Sequence, residues 1–291
     1  MRIMAKSTIT RSLITLTTKR GKRLNAFDGD SITREIQKKG EYDSNTLDSL
    51  ADVLTMIRPE VSLDVGANIG NHALVIADHS RRVIAFEPVD FIFQALEANV
   101  RQNGAAHIEI VNVGLSDEDK EAEIFNPDNA NLGSSSMEIS GGGGEKVKIR
   151  TMVGDRFLAQ HDAKIDFIKM DVEGHEVPAL QGLKNTIEMY QPLLLLEYKT
   201  QKTINGFRNN SLFDNLFAGY TVFSIMTTHS KKIHGGGIIG LLKRSYYKHM
   251  DRHWVLSGFE PEKHYSNIYL VPKRYQSSFS TLPFMKARGF S

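Results

Sequence analysis

Apolar and polar residues alternate at period two near the start of the chain. Leu13, Thr15 and Thr17 set one run and Arg23–Phe27 another, which predicts two strands joined by a turn at Lys19–Lys22 around Gly21. From Asp43 the period changes. Ser44–Met56 places Leu47, Leu50, Ala51 and Leu54 on one face, so it predicts a helix that Pro59 ends. Short apolar runs then alternate with amphipathic ones. Val61–Val65, Arg82–Phe86, His107–Val113, Ile165–Met170 and Leu193–Glu197 read as strands. Asn71–Asp78, Phe91–Gln102 and His175–Met189 read as helices, the last carrying Pro178 in its first turn, where a missing N–H is tolerated. Val147–Met152 and Asn267–Pro272 read as further strands, the second returning to the sheet. Strands alternating with helices predict an α/β fold with a mostly parallel sheet. The Gly-rich stretches 126–144 and 231–240 read as loops.

Composition narrows the chemistry. The 291 residues include no Cys, which excludes disulfides, thiolate-held metals and a cysteine nucleophile. A Cys-free chain fits a reducing compartment, and a cytoplasmic location is the expectation. No apolar run approaches the ~20 residues of a membrane-spanning helix. The net charge of +2 hides an asymmetry: residues 1–40 sum to +7, residues 41–230 to −13 and residues 231–291 to +8. The basic ends suit a polyanion or an anionic membrane, though solvated surface charge is the simpler reading. The first 27 residues are also Ser/Thr-rich and acid-free, as in organelle transit peptides, but their period-two alternation favours the hairpin.

Leu63–Asn71, LDVGANIGN, is the most informative segment. A strand ends at Val65, a Gly-containing turn follows and a helix begins near Gly70. Free backbone N–H groups at such a strand end are where open α/β sheets bind nucleotide-like ligands. Gly66 and Gly70 permit close backbone approach. A dinucleotide fingerprint needs G-x-G-x-x-G, but Asn68 and Asn71 replace two of its glycines. Asp64 before the turn repels a pyrophosphate and suits an ammonium or sulfonium. Glu87 follows Gly66 by 21 residues, at the end of the second core strand, where an acid accepts hydrogen bonds from ribose hydroxyls. A free ribose, a positive centre and no phosphate describe S-adenosylmethionine.

LDVGANIGNHALVIA, VIAFEPVDFIFQALEANVRQNG, VNVGLSD, IDFIKMDVEGHEVPALQGL and PLLLLEY together resemble the FkbM family of S-adenosylmethionine-dependent methyltransferases. The resemblance runs from about Gly40 to Tyr198, and NIYLVP is similar to the family's closing strand. It implies a class I methyltransferase (Rossmann-like) sheet of seven mostly parallel strands with helices on both faces, the last strand an antiparallel insertion. It also implies O-methylation of a hydroxyl on a sugar, glycan or natural product. With this resemblance the chain divides into an N-terminal hairpin and linker over 1–40 and a methyltransferase domain over 41–291, with 199–266 as the variable acceptor and lid region.

The resemblance carries roles over to individual residues. Gly66, Asn68 and Gly70 would line the methionine portion, Asp64 would orient its ammonium, and Glu87 would hold the ribose with Pro88 and Val89 on the adenine. Ser116 and Asp117 would meet the adenine edge. Met170 and Asp171 fall at the end of the fourth strand, facing the transferred methyl. Asp171 is the first candidate base by position, and His175 the second because an ordinary imidazole titrates near neutrality. Glu173 and Glu197 are candidate acceptor-binding residues. Glu173 and Glu176 also fit plain acids in a helix's first turn. Two strand-end carboxylates are too few to define a metal site; Mg²⁺ is possible with Asp171 and Glu197 but not favoured. Asn131–Met137 and Gly40–Asp43 resemble family segments that cover the cofactor; Asp43 stands where many members carry Glu. His249-x-x-x-His253 has metal spacing without a third ligand. Ile238–Met250 mixes apolar, aromatic and basic residues, so peripheral membrane contact is possible, although a lid or subunit contact is the simpler reading. Nucleic acid is not expected as acceptor, because no Asn/Asp-Pro-Pro-Tyr box is present and the cytosine-C5 route needs a Cys. The alternative reading is a methyltransferase acting on nucleic acid or protein, and a nucleotide-binding oxidoreductase is weaker still.

Overall fold

Alternation along five parallel strands builds two cores at once. The strands are β3 (Val61–Val65), β4 (Arg82–Phe86), β5 (Ile108–Val111), β9 (Ile165–Met170) and β10 (Leu193–Tyr198). Ile84, Phe86, Ile168, Met170, Leu194 and Leu196 enter one apolar cluster, while Val83, Ala85, Phe167, Leu193 and Leu195 enter the other. Successive side chains on a strand point to opposite faces, so each strand is buried on both sides. A computed structural model describes residues 12–126, 145–161, 163–230, 234–247 and 254–283. Asn131–Met137 and the His249/His253 pair lie outside the described residues.

The main sheet has the order β12-β11-β13-β10-β9-β3-β4-β5, with β11 at Tyr220–Thr227, β12 at Trp254–Gly258 and β13 at Tyr265–Pro272. β13 inserts antiparallel between β10 and β11, pairing Leu195 with Tyr269 and Phe223 with Tyr269. This is the antiparallel insertion expected of the late strand NIYLVP. The seven expected strands are present; β12 adds an eighth by pairing antiparallel with β11. Residues 199–266 therefore contribute two sheet strands as well as helices.

The helices α2 (Ser44–Ile57), α3 (Asn71–Ala77) and α4 (Asp90–Gln102) cover one face. The other is covered by α5 (Gly154–Leu158), α6 (Glu176–Gln181) and α7 (Lys184–Tyr190). The single helix expected over His175–Met189 is instead two. Gly182 sits between them because a Cβ there would lie 1.9 Å from the Ser116 carbonyl oxygen. The second helix starts afresh where Asn185 N and Thr186 N donate to the Asp155 carboxylate, at 2.8 and 2.9 Å. The expected strand over Val147–Met152 is β8 (Glu145–Val153), but it belongs to a separate three-stranded sheet with β6 (Gly114–Ser116) and β7 (Lys120–Asn126).

The N-terminal hairpin is present as β1 (Leu13–Thr17) and β2 (Arg23–Phe27). Leu24, Ala26 and Phe27 are buried in the same cluster as α4. Sequence periodicity missed α1 (Ser31–Lys39), although its ends are marked. Asp30 Oδ2 accepts from Ile32 N at 3.0 Å, and Gly40 closes the helix in the left-handed conformation. No helix among the described residues is long and apolar enough to cross a membrane.

Candidate active site

Three strand ends are tied together by the turn that follows β3. Gly66 N and Ala67 N both donate to the Phe86 carbonyl at the end of β4, at 3.0 and 2.9 Å. Asp171 N donates to the Val65 carbonyl at 3.0 Å, binding the end of β9 to the end of β3. A Cβ on Gly66 (φ +81°) would stand 1.9 Å from the Asp171 carbonyl oxygen. The close approach that Gly66 permits is therefore to the protein's own backbone. At Gly70 the neighbour is likewise internal, the Leu96 side chain.

A cavity of about 360 Å³ opens at these strand ends. Its wall includes Gly66, Asn68, Glu87, Pro88, Val89, Asp171, Glu173 and His175, which the sequence singled out. Glu87 is buried, with Oε2 accepting from Asn68 N at 3.0 Å and Oε1 from Val89 N at 2.9 Å. Burial pushes its carboxyl up to about 7 against the pull of those two N–H groups.

Other expected residues lie off the wall. Asp64 is wholly buried beneath it. Lys169, its register partner on β9, places Nζ 3.0 Å from Asp64 Oδ1 but donates its hydrogen bond to the Gly66 carbonyl at 2.9 Å. Neither Asp64 oxygen receives a hydrogen bond from the described residues. Met170 points into the opposite core, one alternation step from Lys169. Gly70 caps α3. Ser116 is buried and Asp117 exposed; Gly114 and Leu115 reach the wall in their place. Ser116 Oγ donates to Asp117 Oδ1 at 3.0 Å and meets His175 Nε2 at 3.0 Å.

That contact changes the standing of His175. Burial, then the nearby Lys202 charge, pushes its imidazole down to about 4. It is neutral at pH 7 and a weaker base than an ordinary histidine. Glu176 begins α6, but its carboxylate folds back to accept from Val172 N and Gly174 N at 3.3 and 3.1 Å, and from the Thr203 hydroxyl. It holds the loop on which Glu173 stands in a left-handed conformation, φ 49°.

The carboxylates of Asp171, Glu173 and Glu197 gather within 4.8 Å of one another. Glu197 is 8% exposed and its Oε2 has no hydrogen-bond partner among the described residues. Burial, and then repulsion from Asp171 and Glu173, holds Glu197 well above the ordinary carboxylate range. Burial and Asp171 push Glu173 up to about 7. Lys199 Nζ lies 3.4 Å from Glu197 Oε1 and answers part of this negative charge. The three acids are a donor set for a cation or, at neutral pH, a group that keeps a proton.

The cavity also has a front wall that strand periodicity could not place. Ser31, Ile32 and Glu35 of α1 and Tyr42 close on it. Tyr42 belongs to the Gly40–Asp43 segment, and its neighbour Asp43 reaches His72 at 3.5 Å. Tyr42 falls in the Gly40–Asp43 segment expected to cover the cofactor, whereas the α1 residues Ser31, Ile32 and Glu35, and Lys199, were not foreseen on the wall, nor was the pairing of Lys169 with Asp64. The strand register of Lys169 opposite Asp64 was the available signal.

The strand order, with its antiparallel insertion, is that of the class I methyltransferase fold. The family model described as the methyltransferase FkbM domain matches residues 64–222, and the chain belongs to that family. It is similar to the hexuronic acid methyltransferase AglP of Haloferax volcanii, at 30% identity over 130 residues, covering 44% of this chain and 52% of that protein. It is also similar to the AMB antimetabolite synthetase AmbE of Pseudomonas aeruginosa, at 37% identity over 98 residues, covering 33% of this chain and 5% of that protein. These matches span about half of one relative and a small part of the other. Among solved structures, methyltransferase FkbM from Methylobacillus flagellatus aligns at 19% identity and a TM-score of 0.45, covering 73% of this chain and 44% of that one.

Proposed function

We propose that this protein transfers a methyl group from S-adenosylmethionine to a hydroxyl of a sugar or glycan. The observation that carries the reading is the joining of Glu87 to the Gly66–Gly70 turn through Asn68 N, both opening on the cavity that holds Asp171. The donor set fits the cofactor. Glu87 offers two carboxylate oxygens beside the turn, as ribose hydroxyls require. Glu35, Glu87, Asp171 and Glu173 line the wall against Lys169 and Lys199, so the cavity suits a cationic ligand better than a pyrophosphate. The similarity to a hexuronic acid methyltransferase supports an acceptor of the sugar class.

S-adenosylmethionine, when bound, supplies an electrophilic methyl on a sulfonium. The chain's residues do the rest. Glu87 and the turn fix the cofactor, and alignment supplies much of the acceleration in a displacement. Asp171, with its backbone tied to β3, accepts the proton of the acceptor hydroxyl as the new bond forms. Glu197, which keeps its proton at neutral pH and lies behind the wall, donates a hydrogen bond to Asp171. Lys169 balances Asp64 beneath the turn and keeps the buried charge paired.

The test uses a labelled methyl donor with hexuronate-containing and neutral glycans, transfer RNA and a protein mixture. Label is expected on glycan, in a form that resists mild alkali, as a methyl ether does. Alkali-labile label would place the methyl on a carboxyl group instead. Label on RNA or protein alone would contradict the acceptor class.

A further inference from the structure

The helix Gly237–Tyr247 is amphipathic in the inverted sense. Its buried side is small and cationic: Gly240 is buried, and the half-buried Arg244 donates through Nη1 to the Gly235 carbonyl. Its outer side is apolar. Ile238, Ile239, Leu241 and Leu242 are 78%, 68%, 59% and 64% exposed. At 3.6 residues per turn these four project within an arc of about 160°, with exposed Lys243 at its edge. Scattered exposed leucines are ordinary, but four branched aliphatics on one helical arc form a patch of the kind that marks an interaction surface.

Charge decides what covers it. No Asp or Glu occurs between Asp214 and Asp251, whereas Lys231, Lys232, Lys243, Arg244 and Lys248 all fall in that stretch. We propose that this helix docks on an anionic lipid surface, with the aliphatic arc at the acyl boundary and Lys243 toward lipid phosphates. Interfacial helices bind through this combination of apolar area and cationic flanks. Lys243 is placed for its stem to run along the apolar arc while its ammonium stays in the headgroup layer. At 11 residues the helix is too short to span a bilayer, so the contact is peripheral. The inference rests on the helix and its charge and is independent of the methyl acceptor.

The whole chain is sedimented with vesicles of phosphatidylcholine alone and of phosphatidylcholine with phosphatidylserine. Binding is expected only to the serine-lipid vesicles, and it should fall at least about tenfold when salt is raised from ~0.1 to ~0.5 M. The double variant Ile239→Ser/Leu242→Ser should lose at least about tenfold in binding, with its thermal unfolding unchanged because both side chains are exposed. Lys243→Glu should weaken binding without touching the apolar arc. Failure of the wild type to bind anionic vesicles at low salt would overturn the proposal. So would undiminished binding by the double variant. A lipid-free oligomer that the double variant dissolves would assign the arc to a second copy instead.

Discussion

Asp171 stands at the meeting of backbone and chemistry. Its N–H ties β9 to β3, its carbonyl occupies the space that Gly66 leaves, and its carboxylate joins Glu173 and Glu197. Asp171→Asn preserves size and these backbone contacts. Binding of S-adenosylhomocysteine should stay within about threefold of wild type while turnover falls at least ~10²-fold, the usual worth of a general base. Isothermal titration and a single-turnover assay separate the two; near-normal turnover would remove Asp171 from the mechanism. Glu197→Gln addresses the proton. Glu87 and Glu173 are raised to about 7 and Glu197 is raised as well, all mainly by burial. Folding favours their protonated forms, so their contribution to stability is complete below the ordinary carboxyl value and is lost as pH rises through the raised one. His175, lowered to about 4, works the other way: its contribution is present above the ordinary imidazole value and is lost as pH falls through 4. Glu197→Gln should therefore be the more thermostable protein at pH 8, with its advantage shrinking toward pH 5. Parallel melting curves across that range would contradict the buried, proton-keeping glutamate. Sequence spacing named Glu87, and the family resemblance named Asp171, Glu173 and Glu197, whose carboxylates the fold gathers within 4.8 Å of one another. Neither could weigh His175, because the imidazole's strength depends on its burial and on the nearby Lys202 charge.

At the scale of elements, strands were easier to read than their assembly. The five parallel strands are apolar runs that no helix period explains, and their ends carry the acids. Helix breaks and cross-sheet membership depend on distant neighbours. Residue 182, at the helix break, must be Gly because the Ser116 carbonyl leaves no room for a Cβ, and β8 joins β6 and β7 through pairing that local periodicity does not encode. The hairpin has a similar long-range tie. Asn99 of α4 is fully buried, and its Nδ2 donates to the Ile69 carbonyl of the turn at 2.8 Å and to the Asn25 carbonyl of β2 at 3.1 Å. Its Oδ1 accepts from Asn25 N at 2.7 Å. One side chain thus fastens the hairpin to the turn that follows β3. Asn99→Ala leaves the buried Ile69 carbonyl and the half-buried Asn25 backbone groups without this partner and should cost about 3 kcal/mol. It should also weaken S-adenosylhomocysteine binding, since the turn loses its rear support. Chemical denaturation and titration on the same sample check both effects, and a loss of stability with unaltered binding would show that the turn holds its shape alone.

Along the sequence, basic residues 1–40 and 231–291 flank an acidic middle, 41–230, that supplies most of the cavity's acids. Legibility followed this division. The acidic middle carries motif-dense strands, whereas the surrounding segments act through packing, as when Ile32 and Tyr42 close the cavity from the front. Leu24 of β2 is fully buried in the core shared with α4. Leu24→Ala should lower stability by ~2–5 kcal/mol, as core truncations do, within one cooperative transition seen equally by circular dichroism and Trp254 fluorescence. An early, separate melting step would mean that the hairpin is an independent appendage. The central claim, that the acid-lined cavity is a seat for S-adenosylmethionine, is tested most directly by calorimetric titration of the wild-type chain with S-adenosylmethionine, S-adenosylhomocysteine and NAD side by side. Micromolar binding of the first two, lost in Glu87→Ala, with none of NAD, is the expected result. Binding of NAD, with neither adenosyl compound bound, would contradict it.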